Sequence, residues 1–157
     1  MRVLFVEDNA DKKAEILALL RKYGLDNFCM NDNARDCYYA ATDCDYDLFI
    51  CDMDLPRNGS FPIVEDELEG LNLMKELMRK RIFIPTIIFS PLEVSKDKLS
   101  QLKNAGYPLI GHAKSATELD QCMEEKFFDP VDESVEAYLA LAKVQPRFRR
   151  SERFTDK

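Results

Sequence analysis

Apolar residues along the chain form short continuous runs that alternate with longer stretches of helical spacing. The runs are typical of β-strands and lie at residues 2–6, 27–30, 47–51, 85–89 and 107–111. The stretches between and after them place apolar residues three or four positions apart and predict helices over residues 10–23, 33–43, 67–81, 94–104 and 116–127. Because the central runs are apolar throughout, this alternation predicts an α/β fold with a five-stranded parallel sheet, doubly wound by helices on both faces.

Residues at the predicted helix ends support this assignment. Asn9 precedes the first helix, where its side-chain oxygen can accept a hydrogen bond from a free backbone N–H. Gly24 and Gly106 follow the first and fourth helices and can adopt the left-handed conformation that ends a helix. We therefore expect residues 1–127 to form one domain.

Two segments do not fit the alternation. Residues 57–70 are long for a strand-to-helix connection, and Phe61 and Ile63 lie in their apolar centre. This segment can be a surface loop packed on its own side chains, or a lid beside a site at the end of the third strand. Residues 128–157 form a C-terminal extension, for which apolar spacing predicts an extra helix over residues 131–144 and then a basic tail.

Composition narrows the class of protein. Of 157 residues, 46% are hydrophobic and 32% are charged, which is typical of a folded globular domain. The formal net charge of −7 argues against general nucleic-acid binding. No apolar run is long enough to cross a membrane, and the first residues turn acidic too early for a signal peptide. The five cysteines lack metal-type pairs, so we expect reduced thiols in a cytoplasmic protein.

Polar side chains follow four of the predicted strands. Strands one, three, four and five are followed in turn by Glu7 and Asp8, by Asp52, by Ser90 and by Lys114. In a parallel sheet these carboxyl ends meet at one edge, where ligands bind. Clustered carboxylates need a cation, and hard oxygen ligands suit Mg²⁺. The pattern predicts a magnesium site in which an ionised Asp52 attacks phosphorus while Ser90 and Lys114 bind phosphoryl oxygens.

These residues resemble those of a response-regulator receiver domain. The resemblance is carried by VEDN at 6–9, DLFICDMDLP at 47–56, PTIIFS at 85–90 and the lysine after the fifth strand. It covers residues 1–127 and implies the flavodoxin-like receiver fold, with the C-terminal helix as an addition. It also implies a phosphoacceptor of a two-component or phosphorelay system that is phosphorylated in a Mg²⁺-dependent reaction.

The resemblance implies a role for individual residues around the metal. Asp52 is then the phosphorylated aspartate and a metal ligand, and Asp8 is the principal metal ligand. Glu7 assists the metal through water, and the Met53 backbone carbonyl completes the protein ligands. Around the phosphoryl group, Ser90 is the switch hydroxyl, Lys114 bridges to the phosphoryl oxygens and Asp54 modulates the reaction.

The same resemblance implies partners. The phosphoryl group comes from a phosphohistidine on a histidine kinase or a phosphotransfer protein. Because the sequence contains no output domain, we expect the signal to pass to a downstream protein partner, and a homodimer stays open. Neither a membrane nor a nucleic acid is an expected partner; the basic tail after residue 144 is assigned to protein contact or disorder.

Three positions depart from the family pattern. Pro91 follows Ser90 and has no N–H with which to bind a phosphoryl oxygen. Ser115 replaces the usual proline after the lysine, so we expect a trans peptide bond there. Gly111, with His112 beside it, replaces the usual aromatic residue three places before the lysine. We therefore expect a weaker or differently shaped phosphoryl site.

Two alternatives remain open. The sequence DMD at 52–54 also resembles the opening motif of haloacid-dehalogenase-like phosphatases, in which Asp52 is the nucleophile and Asp54 the acid and base. Leu55 and Pro56 follow where that motif usually has threonine or valine, and no later acidic pair is evident. The other alternative is a receiver-like docking module that is never phosphorylated. We expect no enzymatic activity beyond self-phosphorylation and autodephosphorylation.

Overall fold

Five parallel strands form one sheet in the computed structural model of the protein, which describes residues 1–57 and 68–128. The strands are β1 (Val3–Val6), β2 (Phe28–Asn31), β3 (Leu48–Cys51), β4 (Thr86–Phe89) and β5 (Leu109–Ala113). Their order across the sheet is β2-β1-β3-β4-β5. Since every neighbouring pair is parallel, the predicted five-stranded parallel sheet is confirmed.

Helices connect successive strands, as the apolar spacing predicts. They are α1 (Ala10–Lys22), α2 (Ala34–Asp43), α3 (Glu69–Arg79), α4 (Lys96–Asn104) and α5 (Ala116–Met123), which continues into a π-helical turn (Glu124–Phe128). The Asn9 side chain accepts a hydrogen bond from the Lys12 N–H at 3.0 Å, so Asn9 is the predicted N-cap. Gly24 and Gly106 have φ angles of 68° and 93°, the left-handed conformation that ends α1 and α4.

The helices cover both faces of the sheet. One apolar layer lies between the sheet and α1 and α5, and includes Phe5, Ile16 and Leu119. The other lies against α2, α3 and α4, and includes Phe49 and Leu71. Neighbouring residues along a strand point into opposite layers, so β1, β3 and β4 are buried on both sides. These three strands therefore hold in place the residues that directly follow them, which are Glu7, Asp52 and Ser90.

The fifth strand differs from the prediction of 107–111. It begins at Leu109 because Pro108 has no N–H to donate to the ladder; the Pro108 carbonyl accepts from the Thr86 N–H at 2.9 Å. Tyr107 instead turns into the core, where its hydroxyl lies 2.9 Å from Thr86 Oγ1. The strand consequently ends at Ala113, and Lys114 follows it directly.

Several predictions fall outside the described residues. These are the C-terminal helix over 131–144, the basic tail, and the possible lid with Phe61 and Ile63. Among the helices of residues 1–57 and 68–128, none has the length and apolar character needed to span a membrane.

Candidate functional site

Three carboxylates meet where β1 and β3 end. The two strands are neighbours, with Val6 paired to Cys51, and the Asp52 N–H donates to the Val6 carbonyl at 3.1 Å. Each strand therefore delivers its next residues to the same edge of the sheet. Carboxylate oxygens of Glu7, Asp8 and Asp52 all lie within 4.8 Å of one another. The structure thus brings together the acids that the sequence pattern places at this edge.

Glu7 is fully buried but only half satisfied. Its Oε2 accepts hydrogen bonds from the Asp8 and Asn9 N–H groups at 3.1 and 3.2 Å. Its Oε1 has no hydrogen-bond partner among the described residues. The Lys12 ammonium lies 3.1 Å from Oε1, outside hydrogen-bonding alignment. A buried carboxylate oxygen in this state is prepared to bind a cation.

Asp52 is 2% exposed and lies beside Glu7. Its Oδ1 accepts a hydrogen bond from the Asp54 N–H at 3.2 Å and lies 3.5 Å from Lys12 Nζ. Burial raises the pKa of Asp52 to about 8, with further contributions from a hydrogen bond to Glu7 and from its charge, while Lys12 and the Asp54 N–H oppose the rise. Near neutral pH and without a metal, Asp52 therefore holds a proton against Glu7.

The three carboxylates fit a hard divalent cation. Glu7, Asp8 and Asp52 supply only oxygen ligands, and Asp8 is exposed, which leaves room for water. Glu7 Oε1 has no hydrogen-bond partner among the described residues and the pKa of Asp52 is raised, and both mark a shortage of positive charge that Lys12 supplies only in part. A cation such as Mg²⁺ would remove that shortage.

The Met53 carbonyl lies beside the start of α3. It accepts a hydrogen bond from the Gly70 N–H at 3.1 Å, so it is directed towards the start of α3. The Met53 side chain is also fully buried in the α3 layer. A carbonyl oxygen has two lone pairs, so this hydrogen bond leaves one available, and Met53 as a metal ligand stays a prediction.

The proton on Asp52 makes a pH-dependent prediction for metal binding. A divalent cation must displace this proton, so apparent Mg²⁺ affinity should rise by about tenfold per pH unit below about pH 8 and level off above it. Calorimetric Mg²⁺ titrations between about pH 6 and about pH 9 measure this dependence. In Asp52→Asn the slope should disappear. A wild-type affinity independent of pH over this range would contradict a proton held on Asp52.

Ser90 and Lys114 reach the same edge with different partners. Ser90 is fully buried at the end of β4, and its Oγ accepts a hydrogen bond from the Leu92 N–H at 3.3 Å. The Lys114 ammonium forms an ion pair with Glu93 at the surface, rather than with an acid of the cluster. The Lys114 and Glu93 side chains are 44% and 82% exposed, and an ion pair so exposed to solvent contributes little stability. Lys114 can therefore exchange Glu93 for another anion.

The positions that depart from the family pattern have specific environments. The His112 Nε2 lies 2.8 Å from the Ser90 carbonyl oxygen, to which it must donate. Ser115 caps α5, since its Oγ accepts from the Glu118 N–H at 3.2 Å. The described residues contain no cis peptide bond, so the expected trans bond before Ser115 is confirmed. Pro91 is exposed beside Ser90.

Lys12 is the site residue that sequence reasoning missed. Its ammonium lies near both buried carboxylates and 5.1 Å from the centroid of the Phe89 ring. The available signal was its position in the first turn of the predicted helix, four residues after Asp8. Lysines are common on the exposed faces of helices, so spacing alone did not single it out.

Solved structures provide the comparison with known proteins. The chain is similar to the chemotaxis response regulator CheY4 of Vibrio cholerae, with 18% identity, a TM-score of 0.59, and coverage of 78% of this chain and 95% of that one. It is similar to the receiver domain of the Francisella response regulator 1452, with 24% identity, a TM-score of 0.52, and coverage of 76% and 90%. It is also similar to a CheY-like response regulator receiver domain protein of Methanospirillum hungatei, with 18% identity, a TM-score of 0.59, and coverage of 80% of this chain and 91% of that one.

These similarities define the fold of the chain. Sequence comparison adds nothing to them, because no protein-family model and no curated protein match. The strand order, the alternation of helices and the matched structures agree that the chain has the receiver-domain fold. The fold that the sequence resemblance implies is therefore confirmed.

Proposed function

We propose that the protein is a phosphoacceptor receiver of a two-component or phosphorelay system. In this proposal Asp52 accepts a phosphoryl group in a Mg²⁺-dependent reaction, and residues 1–127 form the receiver unit that carries the 128–157 extension. The observation that carries the proposal is the cluster of Glu7, Asp8 and Asp52 at the edge of a receiver-type sheet. A buried carboxyl that needs a cation before it can ionise suits an acceptor that reacts only with its metal in place.

Each of these side chains has a distinct role in the proposed reaction. A carboxylate oxygen of Asp52 attacks phosphorus, and the bond from phosphorus to the imidazole nitrogen of the donor phosphohistidine breaks. Asp8, Asp52 and Glu7 would hold a Mg²⁺ ion, which would supply positive charge that keeps Asp52 ionised and neutralises phosphoryl oxygens. Because Ser90 Oγ accepts from the Leu92 N–H, its own O–H can donate to a phosphoryl oxygen.

Lys114 completes the proposed phosphoryl site by changing partners. Its ammonium leaves Glu93 and binds a phosphoryl oxygen, which costs little because the pair with Glu93 is exposed. Pro91 cannot donate a backbone hydrogen bond, so one contact is missing and we expect a shorter-lived or more weakly held phosphoryl group. The donor is a histidine kinase or a phosphotransfer protein, and the signal passes to a downstream protein partner in the cytoplasm.

Binding of beryllofluoride, a phosphoryl mimic, tests the proposal. Wild type should bind it with Mg²⁺ and show shifted amide resonances at Ser90 and Lys114, whereas Asp52→Asn should show no change. Asp54→Asn is the matched control, because the hydrogen bond from Asp54 to Asp52 is made by the backbone N–H, which this substitution keeps; it should still bind. Acetyl phosphate should add one phosphoryl group to wild type by intact mass and none to Asp52→Asn.

Other outcomes identify the alternatives. If wild type binds no beryllofluoride at saturating Mg²⁺, the protein is a docking module with a receiver fold. If it hydrolyses p-nitrophenyl phosphate and Asp54→Asn abolishes this turnover, it is a phosphatase. Either result overturns the proposal.

A further inference from the structure

Lys12 occupies an unusual place for a cation. It lies in the first turn of α1, where the helix dipole disfavours positive charge. Its side chain is only 22% exposed, and its ammonium is 3.1 Å from Glu7 Oε1 and 3.5 Å from Asp52 Oδ1. The ring of Phe89 contributes a further face 5.1 Å away. The Glu7 carboxylate and the Asp52 carboxyl group therefore hold this ammonium against the dipole of its own helix.

The position of the ammonium overlaps with the need for a metal. Glu7 Oε1 is a buried oxygen without a hydrogen-bond partner among the described residues, and it lies nearer to Lys12 Nζ than Asp52 Oδ1 does. A divalent cation bound by Glu7 and Asp52 would lie within a few ångströms of that ammonium, and the two would repel. The lysine side chain is long and flexible, so it can move out when a cation enters.

We infer that Lys12 is a built-in counter-ion of the acid cluster, which a divalent cation must displace before Asp52 can act. This inference rests on the proposed function, since it concerns the metal that the proposed reaction needs. Lys12 then sets the concentration of Mg²⁺ at which the site fills. Lys12 acts on the reaction only through the metal site, because in the metal-loaded state it leaves the carboxylates and touches no reacting atom.

Replacement of Lys12 tests the inference through metal binding. Lys12→Met keeps the length of the side chain and removes its charge, so Mg²⁺ should bind roughly tenfold more tightly, the size expected for losing one nearby charge at a partly exposed site. The measurement is a Mg²⁺ titration at about pH 8.5, followed by the amide resonances of Asp8 and Asn9, whose N–H groups donate to Glu7. Lys12→Arg keeps the charge and should bind as wild type does.

Lys13→Met is the matched control. It removes the same charge from the next position of α1, and among the described residues Lys13 forms no ion pair with these carboxylates. Its Mg²⁺ affinity should change less than about twofold, as expected for a screened surface charge. If Lys12→Met does not fold, Lys12→Gln is read in the same way. An affinity of Lys12→Met equal to that of wild type or of Lys13→Met overturns the inference.

Beryllofluoride binding separates this inference from the proposed function. If wild type binds beryllofluoride at saturating Mg²⁺ and Lys12→Met shows no gain in Mg²⁺ affinity, the role of Lys12 fails and the phosphoacceptor stands. If Lys12→Met gains affinity and neither protein binds beryllofluoride, the role of Lys12 stands and the phosphoacceptor fails. If neither protein binds Mg²⁺, both are overturned.

Discussion

Gly70→Ala should destabilise the folded protein by about 2–3 kcal/mol, a typical cost of forcing an extra group into a packed interior. A Cβ at this position would lie 2.2 Å from the Asp52 carbonyl oxygen and 2.7 Å from Met53 Cα. Both neighbours are backbone atoms, and the Gly70 N–H already donates to the Met53 carbonyl. Either α3 or the segment that carries Asp52 must therefore move.

Urea unfolding measures the stability of this variant, and a Mg²⁺ titration measures its site. We expect a lower unfolding midpoint together with weaker Mg²⁺ binding, because the displaced segment includes Asp52. Gly111→Ala is the control: its Cβ would meet only the Cys122 side chain, at 3.0 Å, which can rotate away. Wild-type stability and wild-type Mg²⁺ affinity in Gly70→Ala would contradict the close approach of α3.

Asp52→Asn should stabilise the metal-free protein at alkaline pH by about 2–4 kcal/mol. Burial raises the pKa of Asp52 to about 8, whereas an unfolded aspartate has a pKa near 4. The folded state therefore favours the protonated form, and this stability is fully present below about pH 4 and is lost as pH rises through about 8. Asparagine avoids the loss and can donate to Glu7.

The dependence on pH identifies the cause of the stabilisation. With chelator present, the advantage of Asp52→Asn over wild type should grow from about pH 4 to about pH 8 and then stay constant. Denaturant unfolding at intervals across this range measures it, and Asp54→Asn should follow wild type because its carboxylate is exposed. Saturating Mg²⁺ should remove the advantage, since wild type then binds the metal. An advantage that is the same at every pH would attribute the effect to packing.

The sequence predicts most of this fold because each element carries a local signal. Apolar runs locate β1, β3 and β4, and Asn9 and Gly24 mark the ends of α1. The acid cluster is predictable for the same reason: strands that are neighbours and parallel deliver their next residues to one edge. The clustering of Glu7, Asp8 and Asp52 could therefore be predicted without knowledge of side-chain conformation.

The details that the sequence did not predict depend on tertiary contacts. Tyr107 is apolar enough to be predicted as part of a strand, but its hydroxyl lies beside Thr86 Oγ1 in the core. Pro108 has no N–H, so the hydrogen bonds of the strand begin after it. The Lys114 side chain is long and partly exposed, and its ammonium forms an ion pair with Glu93 that the sequence does not indicate. Lys12 becomes part of the site only when the burial of Glu7 and Asp52 is known, and burial is a property of the packed sheet.

The pairing of Val6 with Cys51 makes the acid cluster an all-or-none property of the molecule. Successive residues of a strand point to opposite faces and advance by about 3.3 Å, so a slip of one position between β1 and β3 would separate Asp52 from Glu7 and reverse the faces of the slipped strand. That slip would also move each apolar residue of the slipped strand into the opposite helix layer, where the packing partners differ. Evolution can therefore tune this chemistry through the side chains around the acids, but the backbone frame tolerates no intermediate form.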